Sequence, residues 1–191
     1  MGFLDALLGG RGKRLKGAAP DRLFAMTTAE VTLETGLGLQ PKGSAGIVFQ
    51  PIGTADFDGI VSDTEELLRG TAADSGTEVR SSSDEYGYRW ITLHDSDFED
   101  LVVALNTVSS ELEGGGYGDR LLAAVFPFEE KGRALYFIYN FKRGAYYPFV
   151  PAPGDKARDS ERELRLKAQV GHELPFEEDM TRWFPLWEIP L

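Results

Sequence analysis

The sequence predicts an α+β domain in which helices pack on one face of a largely antiparallel sheet. Two stretches place apolar residues at helical spacing, and short runs rich in β-branched and aromatic residues lie between them, separated by Gly, Pro and Asp clusters. From residue 44 to 128 the predicted order is strand, helix, strand, strand, helix, strand, which is the ferredoxin-like βαββαβ order. A C-terminal hairpin and a helix extend it. A secretion-chaperone-like layout has similar ingredients and is the alternative.

The first predicted elements come before residue 70. Asp21 is expected to cap a helix that runs through Met26, and Val31 and Leu33 indicate a short strand after it. The apolar run at 47–49 predicts a firmer strand, which Pro51 ends because proline cannot continue a ladder. Apolar residues then recur at helical spacing, which predicts an amphipathic helix from about residue 54 to 69.

The middle of the chain predicts a hairpin followed by a helix. Two strands, near 77–82 and 87–94, are joined through the loop DEYG. Ser96 and Glu99 predict a capping box, in which the serine oxygen accepts from one free amide and the glutamate returns to another. An apolar helical stripe follows, and the three glycines at 114–116 end it.

The C-terminal half predicts two strands buried on both faces, an edge strand and a charged helix. LLAAVFPF at 121–128 and ALYFIYNF at 134–141 are the buried strands. Pro148 in AYYPFV cannot donate to a ladder, so this segment is an edge strand or its end. Residues 155–170 are predicted to be helical. Two i,i+4 ion pairs are expected there, Glu161 with Arg165 and Glu163 with Lys167.

Length and composition favour one domain with extensions. The chain has 191 residues, of which 42% are hydrophobic and 12% aromatic, enough to bury a sizeable core. We expect a short amphipathic leader and basic linker at 1–19, a single α+β domain at 20–174, and an aromatic, Pro-rich C-terminal strap at 175–191. No run approaches the ~20 apolar residues that span a bilayer, and no secretory signal is present, so a cytoplasmic location is expected.

Chemistry-bearing motifs are scarce. The chain contains no cysteine, which excludes disulfides, thiolate nucleophiles and iron–sulfur clusters. GLQPKGSAG lacks phosphate-loop spacing, GGGYG follows a helix rather than a strand, and there is no GxSxG elbow. HDSDFED places four carboxylates beside His94, but helix capping accounts for acidic residues there. We therefore expect no catalytic residues, no cofactor, no metal and no enzymatic activity, with an enzyme that uses an unrecognised acidic site as an alternative.

Charge is distributed unevenly along the chain. The net charge is −11, yet residues 1–16 carry four cations and one carboxylate. The remainder is strongly acidic and repels phosphate backbones, so nucleic acid is not an expected partner. The leader pairs an apolar stripe with basic residues, which is typical of a short membrane-surface element. Its proposed lipid contacts are Phe3, Leu4, Leu7, Leu8, Arg11, Lys13, Arg14 and Lys16. A frayed leader, or a helix docked on its own domain, is the alternative.

Aromatic residues cluster in DEYGYRW, YNFKRGAYYPFVP and RWFPLW. Tyrosine and tryptophan suit both cores and interfaces, because they bury large areas and keep one polar end wet. Successive side chains of a strand point to opposite faces, so at least one of Tyr146 and Tyr147 is expected outside the core. The partner-binding hypothesis names Lys142, Arg143, Tyr146, Tyr147, Tyr86 and Tyr88. The alternative is that these rings only fill the core and its hairpin.

These motifs carry a family resemblance. The opening MGFLDALLG, the central DEYGYRW, the hairpin YNFKRGAYYPFVP and the closing RWFPLW together resemble PspAB, a PspA-associated family of the phage-shock envelope-stress system. The resemblance runs over almost the whole length, with KRG-x-YYPF and RWFP as its more specific parts.

The resemblance implies a non-catalytic accessory or regulatory protein of the PspA-type membrane-stress response. Such a protein works by protein–protein binding at the cytoplasmic face of the membrane. The implied partner is a PspA-like coiled-coil protein or a related regulator, with peripheral contact to anionic membrane. A secretion-chaperone-like peptide-binding protein is the alternative that the layout leaves open.

Overall fold

The computed structural model describes residues 20–191, apart from the side chains of residues 20–21 and 73–75. The leader predicted at 1–19 lies outside the described residues. The described helices are α1 (Pro20–Leu37), α2 (Ala55–Ser75), α3 (Phe98–Gly114) and α4 (Ser160–Val170). The strands are β1 (Gln40–Pro41), β2 (Ser44–Phe49), β3 (Glu78–Ser83), β4 (Arg89–His94), β5 (Leu121–Glu130), β6 (Arg133–Asn140), β7 (Ala145–Phe149), β8 (Pro151–Ala152) and β9 (Ala157–Arg158).

One antiparallel sheet organises the fold. Its spatial order is β3-β4-β2-β5-β6-β7, with β1 paired to the end of β5, while β8 and β9 form a separate small sheet. Both helical connections skip a strand, since β2–α2–β3 passes β4 and β4–α3–β5 passes β2. The predicted class, an α+β fold with a largely antiparallel sheet, is confirmed. Strand β7 is the last in the order, as Pro148 predicted.

All four described helices cover one face of the sheet. Their apolar stripes contribute buried side chains to a common core with alternate residues of the strands. The predicted strand at Val31 and Leu33 is wrong, because both residues lie in α1. Leu33 belongs to a helical stripe with Leu23, Met26 and Ala29, all of which are buried. Two apolar residues at a spacing of two did not reveal this longer period.

The C-terminal segment covers the opposite face. Trp183 and Leu186 are buried there against strand residues such as Val48 and Ile138. The indole Nε1 of Trp183 donates to the carbonyl oxygen of Glu177 at 2.9 Å. At Gly46, a Cβ would come within 3.2 Å of a Leu191 methyl, so the missing side chain lets the tail approach the sheet closely. With both faces covered, residues on either side of a strand are buried.

Two local expectations about helix ends and ion pairs need correction. The cap of α3 is Asp97, whose carboxylate accepts from the amide of Glu99 at 2.9 Å, so the capping box on Ser96 is wrong. Aspartate is as good a cap as serine, and the helix begins one residue later than expected. On α4, the pair of Glu161 with Arg165 is confirmed.

The second predicted pair on α4 is wrong. Glu163 turns inward and pairs with Arg158 at 2.7 Å, while Lys167 donates to Glu178 at 2.6 Å. The i,i+4 spacing placed Glu163 and Lys167 as neighbours on the helix surface, but the side chain of Glu163 is only 2% exposed and faces inward. Among the described helices, none has the length and hydropathy needed to span a membrane.

Candidate partner-binding site

Tyr146 and Tyr147 are both completely buried, which corrects the expectation that one of them lies outside the core. They point to opposite faces of β7, as a strand requires. Tyr146 joins the core under the helices, and Tyr147 joins the core under the C-terminal segment. Since the sheet is covered on both sides, neither ring is available to a partner in this conformation.

The hydroxyl groups of these two tyrosines differ. The Tyr146 hydroxyl donates to the carbonyl oxygen of Leu23 at 2.6 Å and so ties the hairpin to α1. The Tyr147 hydroxyl has no hydrogen-bond partner among the described residues. Burial raises the pKa of both phenols well above the ordinary value, so both stay protonated.

In the turn between β6 and β7, Arg143 bonds to the rest of the fold and Lys142 is exposed to solvent. Nε of Arg143 donates to a carboxylate oxygen of Glu177 at 2.9 Å, and the Arg143 amide donates to the Asn140 side chain. Lys142 is exposed at the tip. Arg143 is therefore engaged within the fold, and Lys142 is the exposed residue of this turn.

The outer edge of β7 is also covered. The amide of Tyr146 donates to the carbonyl oxygen of Pro175 at 2.7 Å, and the amide of Glu177 donates to the carbonyl oxygen of Tyr146 at 2.8 Å. These bonds form a parallel bridge between Tyr146 and Phe176. The C-terminal segment thus occupies backbone groups that an edge strand would otherwise offer to a partner.

The turn between β3 and β4 places its two tyrosines differently. The Asp84 carboxylate accepts from the amides of Tyr86 at 3.0 Å and Tyr88 at 2.9 Å. Its second oxygen accepts from the indole of Trp90 at 3.1 Å. Tyr88 is buried on the face of the sheet that the C-terminal segment covers, whereas Tyr86 is 49% exposed.

Tyr86 lines an aromatic cleft of about 330 Å³ between the β3–β4 turn and the C-terminal segment. The cleft combines the rings of Tyr86, Trp90 and Trp187 with a border of charged side chains. Its lining residues are Ser82, Ser83, Asp84, Glu85, Tyr86, Trp90, Lys156, Leu186, Trp187, Glu188 and Pro190. Three carboxylates and one ammonium group give the described lining a net negative charge. A surface of this kind can bind an aromatic side chain through ring contact, and a Lys or Arg side chain through ring contact and charge together.

The six predicted partner-binding residues do not form one surface. Both turns lie at the same end of the sheet, but β4 and β6 are separated by β2 and β5. Three strand spacings put the two hairpins about 14 Å apart in the plane of the sheet. Of the six, Tyr86 belongs to the cleft, Lys142 and Arg143 lie at the other turn, and Tyr146, Tyr147 and Tyr88 are buried.

The aromatic cleft includes residues that the partner-binding hypothesis did not name. Trp90, Trp187, Glu188 and Lys156 complete it. The rings of DEYGYRW and RWFPLW were conspicuous in the sequence, but the two motifs are about a hundred positions apart. Their meeting depends on the path of the C-terminal segment across the sheet, for which no local pattern exists.

The acidic stretch beside His94 is used in local structure. Asp95 accepts from the hydroxyl of Thr77 and from the amide of Asp97. Burial opposes ionisation of Asp95, but these hydrogen bonds outweigh it and lower its pKa. Among the described residues, no three histidine, aspartate or glutamate side chains converge as a metal site would require.

Comparison with known proteins identifies one family. The sequence profile described as PspA associated protein B matches residues 1–191. No curated protein and no solved structure matches the chain.

Proposed function

Because the chain belongs to the PspA-associated protein B family, we propose that it is a non-catalytic accessory protein of a PspA-linked membrane-stress response. Family membership supports the accessory role linked to PspA. The finer part of the proposal is that the protein acts by binding a PspA-like coiled-coil protein, or a related regulator, at the cytoplasmic face of the membrane.

The aromatic cleft is the observation that carries the binding part of the proposal. Tyrosine and tryptophan are enriched at the centres of protein interfaces, where a few such side chains supply most of the binding energy. Tyr86 is 49% exposed beside Trp90 and Trp187, so it has a large area left to bury on binding. The carboxylates of Glu85 and Glu188 favour a partner segment that carries Lys or Arg.

The carboxylates of Asp95 and Asp97 accept from backbone amides, so these two acidic residues already have a structural use. The leader lies outside the described residues, and its cations would add about 1 kcal/mol each at an anionic surface. Sedimentation with anionic vesicles tests this contact: replacing Arg11, Lys13, Arg14 and Lys16 with serine is expected to abolish it, and unchanged sedimentation would remove the leader from the proposal.

Co-purification from cells grown with and without envelope stress tests the function. The tagged full-length chain is expected to enrich a PspA-like protein, and Tyr86→Ala is expected to weaken that association at least about fivefold, the loss typical of an interface anchor. Met180→Ala is the matched control, because Met180 is 46% exposed and does not line the cleft.

The two parts of the proposal fail separately. If no PspA-like protein is enriched under either condition, the functional assignment is wrong. If the association survives both Tyr86→Ala and the charge reversal Glu188→Lys in a folded protein, the association stands and its assignment to the cleft is wrong.

A further inference from the structure

A second concave surface lies on the helical side of the molecule, between α2 and α3. This α2–α3 groove has a volume of about 230 Å³. Leu67 and Thr71 form one wall and Val103 and Thr107 the other, with Val79 and Leu93 among the residues at its base. Leu67 is 47% exposed and Val103 is 45% exposed, so two large apolar side chains face solvent across one groove.

The two threonines of the groove walls, Thr71 and Thr107, use their hydroxyls within their own helices. The Thr71 hydroxyl donates to the carbonyl oxygen of Leu68 at 3.0 Å, and the Thr107 hydroxyl donates to that of Val103 at 3.0 Å. A threonine bonded back to its own helix has its donor satisfied. The walls therefore behave as apolar surface, and the small side chains of Ala72 and Ala104 leave the space between them unfilled.

The surroundings of the groove are acidic. Asp100 is the charged residue among its described lining side chains. Helix α3 contains no Lys or Arg, and its Glu99 and Glu111 lie one turn before Val103 and one turn after Thr107. On α2, Asp63 lies one turn before Leu67, and the single cation, Arg69, is paired with Glu65 at 3.0 Å.

We propose that the α2–α3 groove binds an amphipathic α-helix of a partner protein whose apolar stripe is bordered by Lys and Arg. A helix fits because the two walls are themselves helices, whose side-chain ridges accept a third helix. The amides and carbonyls of the two helical walls are bonded within their helices, so these walls offer no backbone partners to an extended peptide. The acidic border selects the basic helix over a neutral or acidic one.

This surface is separate from the aromatic cleft. The two share no lining residue. A partner at the groove therefore does not depend on the cleft or on the identity of the protein that binds there, and each assignment can fail while the other stands.

The test uses a fluorescent peptide of about 18 residues, roughly five helical turns, with leucines on one helical stripe and lysines beside it. One control peptide has the same composition in scrambled order, and the other has glutamate in place of every lysine. Anisotropy is measured on the full-length protein at about 50 and about 300 mM salt. The striped lysine peptide is expected to bind at least about tenfold more tightly than either control and to weaken at the higher salt.

Variants locate the binding. Leu67→Ser with Val103→Ser is expected to lower the affinity for the striped peptide at least about tenfold, and both side chains are exposed enough for the fold to survive, which urea unfolding verifies. The matched control is Val31→Ser on α1, since Val31 is 56% exposed and does not line the groove. Because the chain has no cysteine, Val103→Cys gives a single thiol for an environment-sensitive dye, which is expected to shift to the blue when the peptide binds.

Four outcomes overturn the proposal. Equal binding of the scrambled peptide would reduce the effect to general charge attraction, and unchanged binding to the Leu67 and Val103 double variant would place the site elsewhere. Binding that emerges only after Phe3, Leu4, Leu7 and Leu8 are replaced by serine would assign the groove to the chain's own leader. A concentration-dependent dimer in sedimentation velocity that the groove variant loses would assign it to a second copy.

Discussion

The β3–β4 and β6–β7 hairpins turn at the same end of the sheet, and each has a pair of tyrosines at or just after its turn, Tyr86 with Tyr88 and Tyr146 with Tyr147. In β6–β7, Tyr146 and Tyr147 are both buried, and residues 175–177 bond to the outer edge of β7. In β3–β4, Tyr86 is half exposed, and β3 pairs with β4 alone among the described strands. The same residue type therefore fills the core at one edge of the sheet and lines an accessible cleft at the other.

The difference arises from the C-terminal segment rather than from the hairpins themselves. At the β7 edge the segment bonds to the strand and packs Trp187 against Phe149, with ring centroids 4.9 Å apart. At the β3–β4 edge the same segment lines the aromatic cleft together with Tyr86, which stays half exposed. A dense run of aromatic residues is thus buried wherever a second layer covers the strand, and it lines a solvent-accessible cleft where Tyr86 stays half exposed.

The contact whose loss is expected to lower stability most lies next to β7, at the edge of the sheet that the C-terminal segment covers. Glu163 is 1% exposed, and its carboxylate accepts from Arg158 and from the amide of Val150. Arg158→Ala leaves this carboxylate buried without its cation, which is expected to lower the free energy of unfolding by about 3 kcal/mol at neutral pH. Urea unfolding measures it. Arg165→Ala is the control, because Arg165 pairs with the exposed Glu161 and is expected to change stability by less than about 0.5 kcal/mol.

The pH dependence gives this prediction a second readout. Burial raises the pKa of Glu163 above 4.5, although Arg158 and the Val150 amide act in the opposite direction. The folded state then binds a proton more readily than the unfolded state, so between the unfolded and folded pKa values this group favours folding more as the pH falls. Without Arg158 the folded pKa rises further. The loss in Arg158→Ala is expected to shrink as the pH is lowered towards the unfolded pKa value, because a protonated Glu163 no longer needs its cation. A loss independent of pH would mean that Arg158 does not stabilise the ionised form of Glu163.

The adjacent tyrosines of β7 provide a matched pair with a smaller effect. Tyr146→Phe removes a buried hydrogen bond to the Leu23 carbonyl and is expected to cost about 1 kcal/mol of unfolding free energy. Tyr147→Phe removes a hydroxyl that has no hydrogen-bond partner among the described residues, so stability is expected to stay the same or to rise slightly. Thermal and urea unfolding of both variants compare them directly. Equal losses would mean that the Tyr146 hydrogen bond contributes little.

Much of the fold could be predicted because its signals are local. The stripe of α3, the apolar runs of β5 and β6, and the proline in β7 each depend on neighbours within one element. The errors occur where the pattern was short or ambiguous. Val31 and Leu33 were too few to show that the helix predicted from Asp21 continues to Leu37, and Ser96 and Asp97 compete for one cap with nearly equal propensity.

The candidate site was less predictable, because exposure depends on contacts between distant segments. The sequence marked Tyr86, Tyr88, Tyr146 and Tyr147 alike, and nothing local distinguishes the exposed ring from the buried ones. The burial of Glu163 also depends on a distant segment, because its partner Arg158 lies before the helix and donates to the carbonyl oxygen of Trp183. Pairing rules for a helix surface describe exposed residues and do not apply to a side chain that faces the core.

The β3–β4 turn, where Tyr86 is half exposed, gives the prediction with the smallest effect on stability. Tyr86→Ala is expected to change the free energy of unfolding by less than about 0.5 kcal/mol, because the ring lines the cleft and is half exposed. Asp84→Ala, in the same turn, is expected to cost more, about 1 kcal/mol or above, because its carboxylate accepts from Tyr86, Tyr88 and Trp90. Urea unfolding of the two variants side by side makes the comparison. A Tyr86→Ala loss as large as that of Asp84→Ala would mean that the ring stabilises the turn, and its exposure would then no longer favour a role in partner binding.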